Sequence, residues 1–362
     1  MKRVMNFAPG PATLPLSVLE EAQAEFLDFA QTGMSILEHS HRGAAYDGVH
    51  QEAISLLHEL LGLGDEYKVA FFGGGASSQF AILAMNLLTP EKTADYLVTG
   101  AWSKKAVKEA ALFGKVHVAF DPTADGGTFT RVPQTADCAF SDDAAFVHLT
   151  TNNTIAGTQY HAFPETKVPI VADMSSDFLW APFDPKPFGL IYAGAQKNIG
   201  PSGVAVVIIR DDMLARCNDK LPSMFDYKLQ MSKASLYNTP PVFPIYMVGK
   251  TLKWIKAHGG LAGMEKRNLE KGKLLYETID TLSDFYKSPV QTDSRSMMNV
   301  VFRLPSEELE KKFIAEAADL DMLSLKGHRS VGGIRASIYN AAELAWVEAL
   351  TSFMKDFAQK NG

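Results

Sequence analysis

Residues 67–120, "YKVAFFGGGASSQFAILAMNLLTPEKTADYLVTGAWSKKAVKEAALFGKVHVAF", decide the fold. They read as a strand over "YKVAFF", a glycine turn at "GGGASSQ" and a helix over "FAILAMNLL". A second strand, "ADYLVTG", a helix, "SKKAVKEAALFG", and a third strand, "KVHVAF", follow. Strand and helix alternating at this spacing predict βαβ units, and therefore a mainly parallel sheet covered by helices on both faces.

Working outward, "LPLSVLEEAQAEFLDFA" reads as an amphipathic helix with Leu16, Leu19, Phe26 and Phe29 near one face and Pro15 at its start. "VHQEAISLLHELLG" reads as a second helix closed by Gly62. Downstream, "AAFVHL", "VPIVAD", "GLIYAGA" and "VAVVII" add short apolar strands. Beyond "NTPPVFP" come two long helical patterns, then "MMNVVFRL", a helix from Ser306 to Leu320, "IRASIYN" and a terminal helix from Ala342. The expected division is a large α/β domain over residues 16–258 and a small α+β domain over 259–362 joined by the N-terminal segment 1–15.

The 362 residues are 46% hydrophobic and 21% charged, the balance of a globular chain with a sizeable core. A net charge of -6 offers no general attraction to nucleic acid or to an anionic membrane, so an anionic ligand must be met by local positive groups. Lys2 and Arg3 are followed by "VMNFAPGPATLP", which breaks before an apolar signal region develops, and no apolar run is long enough to span a bilayer. Two cysteines, Cys138 and Cys217, form neither a disulfide framework nor a zinc pattern, and a reducing cytoplasm is the expected compartment.

Lys197, in "YAGAQKNIGPSG", follows an apolar run and precedes a glycine-proline turn. A desolvated lysine has a lowered pKa, and the neutral amine forms a Schiff base with a carbonyl. The aldehyde of pyridoxal phosphate is the candidate carbonyl, and it requires four further groups. A phosphate needs an anion site, which "GGGASS", with Ala76 and Ser77 at a helix start, would supply through backbone N–H groups. This turn fits neither the dinucleotide nor the Walker pattern. A pyridine nitrogen needs an anion to stay protonated, and Asp173 ends the strand "VPIVAD". Trp102 lies between a strand and a helix, where it would stack on a flat ring. His41 with Arg42 and His328 with Arg329, together with Arg335, suit a doubly anionic substrate. Glu38, His39 and His41 lack a metal-site spacing, so no metal is expected.

Together "NFAPGPATLP", "SHRG", "FFGGGASSQF", "YAGAQKNIGPSG", "YNTPP" and "GHRSVGGIRASIYNA" resemble the phosphoserine aminotransferase family, class V aminotransferases of fold type I, from residue 4 to the C-terminus. The resemblance implies a large domain with a mainly parallel seven-stranded sheet between helices, a small C-terminal α+β domain and pyridoxal 5'-phosphate as cofactor. It implies that Lys197 carries the cofactor and shuttles a proton, Asp173 pairs with the pyridinium, Trp102 stacks on the ring, and Thr154 bonds the phenolic oxygen. Gln196 and the backbone at Ala76 and Ser77 would meet the phosphate. Some members carry an arginine where this chain has Ala76 or Ser77, so here backbone N–H groups and the Ser77 or Ser78 hydroxyl must serve.

The family acts as a homodimer with shared sites, which implies that Asn238 and Thr239 reach the partner's cofactor phosphate. Arg335 would hold the substrate carboxylate, while His41 and Arg42, with His328 and Arg329 of the other chain, would receive a phosphate or a second carboxylate. The implied reaction converts 3-phosphohydroxypyruvate and glutamate to O-phosphoserine and 2-oxoglutarate in serine biosynthesis; members of the family can also act on 3-hydroxy-2-oxo-4-phosphobutanoate in vitamin B6 synthesis, a step the sequence leaves open here. Alternatives are an alanine–glyoxylate type transaminase, a cysteine desulfurase, for which neither cysteine sits in a suitable glycine-rich loop, and a cofactor-free phosphometabolite sensor.

Overall fold

The structure, a computed structural model, describes residues 3–124 and 126–362. Residues 1 and 2, part of the segment expected in the small domain, lie outside the described residues. The chain runs through β1 (Met5–Asn6), α1 (Leu16–Ala24), α2 (Ala44–Leu61), β2 (Tyr67–Gly73), α3 (Ala76–Leu87), β3 (Thr93–Leu97), α4 (Ala101–Ala110), β4 (Lys115–Phe120) and β5 (Ala144–Thr150). A hairpin of β6 (Asn152–Asn153) and β7 (Thr158–Gln159) precedes β8 (Ile170–Asp173), β9 (Phe188–Gly194) and β10 (Val204–Arg210). Helices α5 (Asp211–Ala215), α6 (Tyr227–Ser232), α7 (Val242–Ala257) and α8 (Gly260–Thr281) lead to β11 (Asn299–Phe302), α9 (Glu307–Asp319), β12 (Met322–Leu323), β13 (Ile334–Ser337) and α10 (Leu344–Asn361).

The main sheet has seven strands in the order β2-β10-β9-β8-β5-β3-β4. β10 runs antiparallel to both its neighbours and every other pairing is parallel. After β4 the chain returns to the other side of β3, and a reversal of this kind opens a crevice at the carboxyl ends of the strands. Alternate side chains of each strand feed two cores. Phe71, Val147 and Ile191 pack with Leu57 of α2 and Val248 of α7 on one face. Phe72, Phe146 and Tyr192 pack with Phe80 of α3 and Ala106 of α4 on the other. The predicted βαβ layering is therefore the observed architecture.

A separate core gathers Phe7 with Leu275 of α8, Phe302 of β11, Phe313 of α9, Ile334 of β13 and Val347 of α10. β1 joins it by pairing in parallel with β12. Ser306 caps α9, its hydroxyl accepting from Leu309 N at 3.2 Å, and Gly62 ends α2 with φ +60°, as the sequence predicts.

The N-terminal helix departs from expectation. It stops at Ala24, and Phe26 and Phe29 continue beyond it against Phe243 and Tyr246, with ring centroids 5.9 and 5.8 Å apart. Glu25 is held there by Lys250 Nζ at 2.9 Å and Tyr246 Oη at 2.7 Å, so tertiary contacts override the helical period. Leu16 and Leu19 are exposed while Val18 and Ala22 are buried, the reverse of the predicted face.

Candidate active site

The carboxyl ends of five strands of the sheet deliver the predicted groups to one edge. β9 ends three residues before Lys197, β8 ends at Asp173, and β5 runs into the hairpin whose turn carries Thr154. β3 leads to Trp102 in the first turn of α4, and β2 leads through Gly74 to the start of α3.

Lys197 Nζ donates to Thr154 Oγ1 at 2.6 Å and lies 5.6 Å from the centre of the Trp102 ring. Burial lowers its pKa to about 8, although Asp173 and Asp177 pull the other way. The Asp173 carboxyl is buried, which raises its pKa against the opposing pull of Lys197 and of the Ser175 hydrogen bonds. Its Oδ1 accepts from Ser175 N at 3.0 Å and Ser175 Oγ at 2.6 Å, and no protein donor reaches Oδ2 among the described residues. Ser175 Oγ in turn accepts from Gly194 N at 3.0 Å, locking the ends of β8 and β9 together.

Arg335, on β13, is buried, and its Nη1 donates to the Thr154 carbonyl at 3.3 Å while Nε has no partner. Burial lowers its pKa, and its charge in turn depresses Lys197. A cavity of about 460 Å³ opens beside it, lined by Ala101, Ile155, Phe302, His328 and Arg335. His328 therefore shares a cavity with Arg335 of its own chain. Its pKa is lowered by partial burial and by the Arg335, Arg329 and Lys105 charges. Lys105 Nζ also stands 4.3 Å from the Trp102 ring centre, a cation absent from the sequence-based set.

At the glycine turn, Gly74 takes φ +106°, and its N–H donates to Gly203 O at 3.0 Å. α3 then opens at Ala76 and Ser77 with no side chain capping its N-terminus and no acidic residue in its first turn. A Cβ added at Gly73 or Gly75 would meet nothing within 4 Å, so the side-chain positions of both glycines face open space. Gln196 Oε1 and Trp102 Nε1 are buried without partners. The N-terminal segment closes over the lysine: Ala12 N donates to Gln196 O at 2.9 Å, and a Cβ on Gly10 would stand 3.3 Å from Lys197 Cγ.

The fold thus gathers Lys197, Asp173, Trp102, Thr154, Gln196 and Arg335, with His328 on the adjoining cavity. It leaves His41, Arg42, Asn238 and Thr239 outside: no hydrogen bond, ion pair or ring contact joins them to the Lys197 cluster among the described residues. His41 Nε2 is buried without a partner, Arg42 and Arg329 are exposed, and Asn238 and Thr239 form an exposed turn in which Asn238 Nδ2 donates to Thr239 O at 3.2 Å.

Sequence reasoning missed Asp177 and Ser175. The signal was "DMSSD", residues 173–177, in which Asp173, Ser175, Ser176 and Asp177 interrupt two apolar stretches.

Comparison with known proteins covers nearly the whole chain. Residues 4–350 match the family model described as aminotransferase class-V. The chain is 54% identical over 364 aligned residues to the phosphoserine aminotransferase of Desulfosudis oleivorans, covering 100% of this chain and 99% of that one. The solved phosphoserine aminotransferase of Bacillus circulans subsp. alkalophilus superposes with a TM-score of 0.97 at 52% identity, covering 100% of both chains. A structure described as radiation damage of the Schiff base in phosphoserine aminotransferase superposes with a TM-score of 0.96 at 47% identity, over 99% of this chain and 100% of that one. Matched over its full length at about half identity, the chain belongs to the class-V aminotransferases, in the phosphoserine aminotransferase family.

Proposed function

We propose that this chain transfers the amino group of L-glutamate to 3-phosphohydroxypyruvate, giving O-phospho-L-serine and 2-oxoglutarate. The observation that carries this reading is Lys197, with a pKa lowered to about 8, among Asp173, Thr154, Trp102 and Arg335 in a chain matched end to end by phosphoserine aminotransferases.

Pyridoxal 5'-phosphate is the cofactor of this family, and the residues here fit it. The vacant side of Gly73 and Gly75, the uncapped start of α3 and the unpartnered Gln196 Oε1 suit a phosphate. The free Oδ2 of Asp173 suits a ring N–H, and the Trp102 face suits a flat ring. When bound, the cofactor supplies a carbonyl that holds an amine and a ring that accepts the electron pair left at the substrate's alpha carbon.

The chain's own residues do the rest. Lys197, its amine pKa lowered to about 8, holds the cofactor and moves a proton at the alpha carbon of the substrate. Thr154 orients the lysine amine, and Asp173 fixes negative charge at the inner end of the site. Arg335, whose Nε is unpartnered, grips the alpha-carboxylate in a site that burial keeps poor in water. The second anionic group of either substrate meets His328 and Arg329, with His41 and Arg42.

The reading extends to a homodimer whose subunits complete one another's sites. It is supported by the separation of His41, Arg42, Asn238 and Thr239 from the Lys197 cluster of their own chain. It is further supported by Leu27, 83% exposed, which lines an apolar groove with Leu14, Leu19, Phe26, Phe243 and Met247. No helix among the described residues is long and apolar enough to cross a membrane, and the two free cysteines accord with a cytoplasmic enzyme.

The test is a coupled assay with 2-oxoglutarate as acceptor and phosphoserine, alanine or aspartate as donor. Phosphoserine is expected to be preferred by at least about 100-fold in kcat/KM, the scale of one or two charge-assisted contacts. Equal turnover of alanine would overturn the substrate assignment.

A further inference from the structure

Asp177 is a buried carboxyl that the reaction described above does not use. It lies one turn beyond Asp173, its N–H donating to Met174 O at 3.1 Å. Its two oxygens are spent on the two feet of one hairpin. Oδ1 accepts from the Thr151 hydroxyl, just before β6, and Oδ2 accepts from Gln159 Nε2, at the end of β7, at 3.1 Å. Between these feet the hairpin turn presents Thr154, whose hydroxyl receives Lys197 Nζ and whose carbonyl receives Arg335.

The same anchors reach further. Thr151 N donates to Asp173 O at 3.0 Å, and Gln159 Oε1 accepts from Met297 N, just before β11, at 2.8 Å. Thr151 Oγ1 lies within reach of both Asp177 and the Asp173 carbonyl, 3.2 Å away, but a hydroxyl has one proton to give. A charged Asp177 claims that proton, whereas a protonated Asp177 can itself donate to Thr151 and release it toward Asp173.

We infer that Asp177 is a positioning residue for Lys197: it closes the base of the hairpin that presents Thr154 and supplies a second buried negative charge that sets how tightly Lys197 holds its proton. The charged and titratable groups around this pair are Asp173 on β8, Arg335 on β13, and Tyr339 just beyond β13. Asp173 and Asp177 favour the lysine ammonium and Arg335 opposes it. Burial raises the pKa of Asp177 to about 7, against its hydrogen bonds from Thr151 and Gln159, so its charge develops across neutral pH. An amide at this position would satisfy both feet without the charge, its NH₂ donating to Thr151 and its oxygen accepting from Gln159.

This inference rests on the reading of Lys197 as the reacting amine, so its test is made on the full-length chain without cofactor. Trace acetylation of Lys197 by acetic anhydride, followed by peptide mass spectrometry across pH, reports the fraction of neutral amine. The wild-type curve is expected to be half-maximal near pH 8. Asp177→Asn should move the midpoint down by roughly half a pH unit, the direction and scale of losing one opposite charge nearby. Thr151→Val keeps the carboxyl but removes a hydrogen bond that favours its charged form, and should move the midpoint the same way by less. It carries the test by itself if Asp177→Asn does not fold. Midpoints that stay at the wild-type value, even with a lowered unfolding temperature, would make Asp177 a structural brace and overturn the inference. A failure of phosphoserine turnover would sink the substrate assignment and leave these curves unchanged.

Discussion

Arg335 has an unpartnered Nε in a buried setting beside Thr154 and Lys197, and an arginine left this way needs an anion. Arg335→Ala should raise the KM for both substrates by about 10- to 150-fold, equivalent to about 1.5–3 kcal/mol for a charge-assisted contact. The visible absorption of bound cofactor should be unchanged; lost absorption with unchanged KM would place Arg335 in cofactor binding instead. Residues of this kind were legible in the sequence because their type declares their chemistry: a lysine among small residues, a tryptophan at a helix start, an aspartate closing an apolar strand. Asp177 was not legible. Its meaning depends on Thr151 and Gln159 arriving from two sides of a hairpin, and that pairing is made only in three dimensions.

At the scale of elements, strand and helix alternation marked the sheet because its central strands, β5, β8, β9 and β10, are buried almost throughout and read as apolar runs. The hairpin escaped notice because β6 and β7 have two residues each, too few to show a period. The fate of α1 was hidden for another reason, since Glu25 and Phe26 answer to α7 and its flanks rather than to helix propensity. Within the hairpin, Gly157 takes φ +78°, and a Cβ there would stand 2.5 Å from Val301 Cγ2 and 3.1 Å from Asn299 O. Gly157→Ala combines backbone strain with overpacking and should cost about 2–4 kcal/mol. By moving the turn that holds Thr154, it should also lower kcat. Chemical denaturation and steady-state kinetics measured together check this; a stable variant with reduced kcat would separate the two effects, and a variant matching the wild type in both would refute the argument.

At the scale of the whole molecule, one chain supplies a lysine, an aspartate, an aromatic face and one buried arginine, while His41, Arg42, Asn238 and Thr239 stand apart from them. We propose that a second copy seated on the exposed apolar face gives all of them a role. Leu27→Asp puts a charge on that face at a position 83% exposed in the single chain, where folding alone should tolerate it. Light scattering should find the wild type at twice the 39.6 kDa chain mass, and the variant shifted toward a single chain with reduced activity. A fully active monomeric wild type would remove the need for the partner.

The central claim is that Lys197 is the residue that holds the cofactor. Borohydride reduction of the pyridoxal phosphate-loaded protein, followed by peptide mass spectrometry, tests it most directly. The account predicts one stable cofactor adduct, on Lys197, and none in Lys197→Ala. An adduct on another lysine, such as the buried Lys250 or Lys271, with Lys197 unmodified, would contradict it.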